Sequence, residues 1–137
     1  WPEKIESVND ELTLQFIEQS IYMIPLGPRG PEYDVLSQTH IDREKAKALA
    51  DAALSCWDAI LRHDIRDFGR FFRESFESQV AMFPLMMNDM VAAMIERYRD
   101  LALGWKLSGA GGGGYLILIS DQPIEHAIRI NIRRKSD

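Results

Sequence analysis

Leu107-Ser108-Gly109-Ala110-Gly111-Gly112-Gly113-Gly114-Tyr115 places five glycines and one alanine between two apolar runs. A glycine in regular structure costs roughly 0.5–1 kcal/mol relative to alanine, so a run of them belongs where backbone takes positive φ or closely approaches another group. Two uses fit such a run: bare N–H groups surrounding an anion such as a phosphate, or a linker or tight turn. Gly109, Gly111 and Gly114 satisfy G-x-G-x-x-G, but the dinucleotide fingerprint needs a helix directly after it and an acidic residue about 20 positions on. Here Tyr115-Leu116-Ile117-Leu118-Ile119 follows, an apolar run that reads as a buried strand, and 23 residues remain after Gly114. A Walker A loop would need Lys and then Ser or Thr after its last glycine, where Tyr115-Leu116 stand. What remains is a glycine loop joining two strands, entered by Trp105-Lys106-Leu107 and left by Tyr115 to Ile119.

Outward from the loop, Leu12, Leu14 and Phe16 alternate with polar residues and predict a half-buried strand, which Ile21-Tyr22-Met23-Ile24 continues. Pro25-Leu26-Gly27-Pro28-Arg29-Gly30-Pro31 ends it, and in that loop Arg29 is a candidate anion contact or a solvated side chain. Three amphipathic helices are predicted next. The first carries Ile41, Leu49, Ala52, Ala53, Cys56 and Ile60, with Asp42 near its start; the second follows a cap at Asp64 with the stripe Ile65, Phe68, Phe72, Phe76 and Val80. The third starts at Pro84 and runs to a stop at Gly104, through Met87, Met90 or Val91, Met94, Tyr98 and Leu101. Its methionines fill a core or line a partner surface, and Met82 to Met87 is the stretch to consider for such a contact. Near the C-terminus Ile124 to Ala127 reads as a short helical turn, and Ile128, Ile130 and Ile132 as a strand with one apolar and one basic face. Arg133-Arg134-Lys135 reads as a solvated end.

Bunched helices among strands with hairpin-like connections predict an α+β domain, an antiparallel sheet with helices packed on one face. The 137 residues form one domain, 1–137, with enough apolar content, 46%, for a core. A net charge of −5 argues against nucleic acid and anionic membranes, both of which favour a basic surface. One cysteine, Cys56, leaves no internal disulfide and no cysteine-rich metal site. No apolar stretch reaches the ~18 residues of a membrane span and no signal peptide opens the chain, so the expected compartment is the cytoplasm. His40, His63 and His126 lack ligand spacing, and no metal site is expected. Asp64 with Asp67 and Glu74 with Glu77 sit at helical spacing on polar faces and read as solvation. Ser108 lacks the G-x-S-x-G setting of a nucleophile and reads as a hydrogen-bond donor.

Gly104-Trp105-Lys106-Leu107-Ser108-Gly109-Ala110-Gly111-Gly112-Gly113-Gly114-Tyr115 resembles the third, C-terminal signature of the GHMP small-molecule kinases. Within them it is most similar to the sugar-kinase branch of heptose-phosphate kinases and fucokinases, with galactokinases as further relatives. Pro25 to Arg29, the helical stretch from Asp42 and Ser75-Phe76-Glu77-Ser78-Gln79 extend the resemblance more weakly. It implies a ferredoxin-like C-terminal domain and ATP-dependent phosphorylation of a sugar or sugar phosphate, with ATP and Mg2+ as cofactors of the intact enzyme. It also implies a phosphate- or substrate-binding set of Ser108, Gly109, Ala110, Gly111, Gly112, Gly113 and Gly114, with Arg29 as a further candidate. The family's N-terminal phosphate loop, usual catalytic aspartate and its basic partner have no counterpart here. The expected partner is therefore an N-terminal half that binds ATP, and this chain alone is expected to fold without catalysing transfer or holding a cofactor tightly. The alternative is a binding or interaction domain of the same fold that performs no chemistry.

Overall fold

Asp10 sets the first element. Its carboxylate accepts a hydrogen bond from Thr13 N at 3.0 Å, capping a helix, α1 (Glu11–Ser20), where alternation predicts a strand. The buried face of α1 is Thr13 and Ser20, with Phe16 and Ile17 half-buried between them, while Leu12 is 71% exposed. Two of the inward positions are polar, which hides the helical period. Thr13 Oγ1 lies 2.6 Å from His63 Nε2 and Ser20 Oγ donates to Phe16 O at 2.6 Å, so both hydroxyls are satisfied.

The computed structural model describes residues 6–26, 39–108 and 114–134. After α1 the chain passes directly into β1 (Ile21–Pro25), then α2 (Arg43–Leu61) and α3 (Ile65–Met82). Asp42 caps α2 through Lys45 N at 2.8 Å, and Asp64 caps α3 through Asp67 N at 3.1 Å, as their positions predict. The predicted third helix is divided: Pro84–Met86 forms one 3₁₀ turn, and α4 (Asp89–Tyr98) begins anew because Asn88 accepts from Val91 N at 2.9 Å. Gly104 is not the helix stop. It opens β2 (Gly104–Leu107), which is followed by β3 (Tyr115–Ile119) and β4 (Ile128–Arg129).

The strands form one sheet in the order β2-β3-β1-β4, each pair antiparallel, so the α+β class and antiparallel sheet are realised. Ile21 faces Ile119 and Tyr22 faces Leu118, while Trp105 faces Leu118 on the other side of β3. Alternation then sorts the strand residues into two apolar clusters. Tyr22, Ile24, Trp105, Leu107, Leu116 and Leu118 pack with Phe76 of α3 and Val91, Ile95 and Tyr98 of α4. Ile119 packs with Ala59 and Phe68, joined by Ile21, Phe16, Cys56, Ile65 and Phe72.

Two C-terminal expectations need correction. Residues Glu125 and His126 make a turn, with His126 at φ 65, a left-handed value that no helical turn contains. The last strand stops after Ile128 and Arg129 because the Glu18 carboxylate takes Ile132 N at 2.6 Å and binds Arg134, drawing the segment onto α1. Arg134 is thus a tied side chain and not part of a solvated end. Ile41 and Ala53, placed in the predicted stripe of α2, are exposed.

Candidate functional site

The hairpin of β2 and β3 carries the glycine run at its tip, and the structure describes its two ends. Ser108 N donates to Tyr115 O at 2.9 Å, the last rung before the strands part. Gly114 O accepts from Leu26 N at 2.8 Å, which ties the hairpin base to the end of β1 as well. Gly114 has φ +85, and a Cβ there would stand 3.5 Å from Ser108 O, an ordinary contact. Left-handed backbone, and not lack of space, therefore calls for glycine at this position. Gly109, Ala110, Gly111, Gly112, Gly113 and Arg29 lie outside the described residues. Leu26, the described residue before the Arg29 segment, is bonded to Gly114, the last residue of the glycine run.

Lys106, two residues before Ser108, is a site feature that residue patterns alone do not single out. Its Nζ donates to Ser75 Oγ at 2.6 Å, and Ser75 is buried on the inner side of α3. Lys106 makes no ion pair among the described residues. Burial holds its ammonium below the ordinary lysine pKa, and burial pushes the neighbouring Cys56 thiol up to about 11. The signal was present as a lysine between Trp105 and Leu107, both buried, but only the packing of α3 against β2 says which way it turns.

The remaining ionisable groups have other work. Asp64 serves as a cap and, with Asp58 and Asp67, pairs with Arg62, while Glu74 and Glu77 pair with Arg70 and Arg73 along α3. The cleft between α2 and α3 is lined by Asp51, Glu74 and Glu77 with Lys45, a charge balance of the wrong sign for a phosphate. Among the described residues no group of three or more His, Cys, Asp or Glu side chains is placed to hold a metal ion. Met82 and Met86 are buried in the core, so of the stretch considered for a partner contact Met87 is the methionine at the surface. No helix among the described residues is long and apolar enough to cross a membrane.

A glycine-tipped hairpin on an antiparallel sheet backed by helices can be compared with known proteins. The model of a family described as GHMP kinases C terminal matches residues 57–135. This chain belongs to that family. A curated relative, the L-fucokinase/L-fucose-1-P guanylyltransferase of Bacteroides fragilis, is 38% identical over 78 residues. That match covers 57% of this chain and 8% of the relative. The matched residues include α3, α4 and the whole β2–β3 hairpin. The two described ends of the glycine run, Ser108 and Gly114, are held by the sheet through Tyr115 and Leu26.

Proposed function

We propose that this chain is the C-terminal part of an ATP-dependent kinase acting on a sugar or sugar phosphate, and that its glycine loop helps to enclose the phosphates. The observation that carries the reading is the hairpin base. Ser108 N–Tyr115 O on one side and Leu26 N–Gly114 O on the other anchor the run at both ends, while Gly114 turns the backbone left-handed. In phosphoryl transfer the protein acts by positioning and by stabilising charge, and backbone N–H groups serve both purposes without a titratable side chain. Mg2+ that accompanies ATP is held by one or two carboxylates together with the phosphates, and no step is assigned to it here. Similarity to a relative named as an L-fucokinase supports a sugar as acceptor.

The test is ADP release by the full-length protein with ATP and a panel of sugars that includes L-fucose. Sugar-dependent turnover is expected, together with its loss in Gly112→Val while the melting temperature of that variant is unchanged. No turnover with any sugar would favour the non-catalytic domain. Normal turnover and ATP affinity in Gly112→Val would leave the glycines with a purely geometric role.

A further inference from the structure

One side of α2 packs inward through Ala52 and Ala59, with Cys56 and Ile60 beside them. On the opposite side the helical period aligns Ala46, Ala50, Ala53, Leu54, Trp57 and Leu61. The three alanines are exposed, Leu54 is 69% exposed and Leu61 45%. Trp57 is half-buried, its Nε1 donating to Glu6 Oε2 at 2.7 Å. None of the six belongs to either core cluster of the described residues. The outer face of a helix ordinarily carries polar and charged residues. A contiguous apolar stripe there marks a surface that another body covers.

The order of the side chains says which body. Pairing the stripe with its own reverse about the midpoint between Ala53 and Leu54 sets Ala46 against Leu61, Ala50 against Trp57 and Ala53 against Leu54. Each small residue meets a large one. This is the self-complementarity that an isologous two-fold contact requires, and the alanines let two helix axes approach closely. The charges beside the stripe follow the same order. Lys47, early in α2, and Asp58, late in it, lie on one flank and are largely exposed. A helix alone favours bases in its last turn, where α2 has none. We infer that α2 is a self-association surface on which a second copy of this chain docks antiparallel. The two-fold brings like flanks together, so Lys47 of each copy reaches Asp58 of the other. Contact through one helix is smaller than the about 800 Å² per partner of a standard stable complex, so the association is reversible.

The test is analytical ultracentrifugation of the full-length protein at concentrations up to about 0.1 mM, with a melting curve for every variant. A concentration-dependent doubling of mass is expected. Leu54→Lys should abolish it, because the two ammonium groups would meet at the two-fold. Lys47→Glu and Asp58→Lys should each weaken it about tenfold, since like charges then face each other at both contacts. An equimolar mixture of those two variants should regain the original affinity, because opposite charges meet at both contacts of the mixed pair. Mixing cannot restore an ion pair within one chain, so the recovery reads the contact between copies even where a single variant melts lower. Constant mass across the range, a doubling that Leu54→Lys leaves intact, or a mixture no tighter than its components would overturn the inference. ADP release enters none of these readings, so the kinase proposal stands or falls separately.

Discussion

Gly104 and Gly114 are both glycines for reasons that substitution separates. A Cβ on Gly104 would land on the backbone carbonyl of Gly69, and one on Gly69 would meet Leu103 Cβ at 2.6 Å, so α3 crosses β2 with no room for a side chain on either element. Relief requires backbone to move, and overpacking of that kind costs about 1–3 kcal/mol or more. At Gly114 the space is adequate and only the φ of +85 resists, a cost of roughly 1–2 kcal/mol for alanine. Chemical denaturation should therefore rank Gly104→Ala as clearly less stable than Gly114→Ala. Equal midpoints would mean that the helix–strand crossing relaxes freely. Gly114 is legible from its place at the end of the glycine run, where a left-handed turn into β3 is expected. Gly104 reads locally as a helix stop because its purpose lies in a neighbour 35 positions away, Gly69.

Among the elements, α1 and the C-terminal segment stand or fall together. Arg134 reaches Glu11 through Nε at 2.8 Å and Nη2 at 3.0 Å, and it reaches Glu18 through Nη2 at 2.8 Å and Nη1 at 3.1 Å. Hydrogen bonds from Arg134 hold both carboxyls below the ordinary glutamate pKa, with Gln15 assisting at Glu11 and the Ile132 N–H at Glu18. A carboxyl whose folded pKa is depressed adds stability above its unfolded pKa, near 4.5 here, and that increment is lost as pH falls through the folded value. The segment 130–134 should accordingly loosen as pH falls below about 5, read as a smaller protection factor at Ile132, its exchange relative to an unfolded amide at the same pH. In Arg134→Gln that exchange should already be fast at neutral pH and should change less with acid. An unchanged acid profile in Arg134→Gln would show that the contact contributes nothing. The sequence offered no route to this pairing, because 123 residues separate Arg134 from Glu11 and a terminal basic run is ordinarily solvated.

For the whole molecule, Phe76 is the side chain through which α3 joins the sheet and α4. It is fully buried, in the cluster with Trp105, Leu116, Leu118, Val91 and Ile95. Phe72, one turn earlier on the same stripe, is half-buried and packs with the smaller cluster around Ile119. A buried Phe→Ala change costs about 3–5 kcal/mol, which for a chain of this size is roughly 10 °C of melting temperature. Phe76→Ala should show that loss in full and Phe72→Ala a smaller one by calorimetry. The reverse order would place the main core around Ile119.

The sequence by itself determined the class of the fold, the caps at Asp42 and Asp64, the stripe of α3 and the two strands that flank the glycine run. These rest on interactions within a few residues or on a period that the chain repeats, and both are written locally. Tertiary structure decided the rest. Thr13 and Ser20 face inward because His63 and the backbone satisfy their hydroxyls, so a pattern of alternating apolar residues became α1. The order β2-β3-β1-β4 ties Leu26 to Gly114 and aligns Ile117, Met23 and Ile128 in one row, since register between strands far apart in the chain is settled by packing and not by local preference.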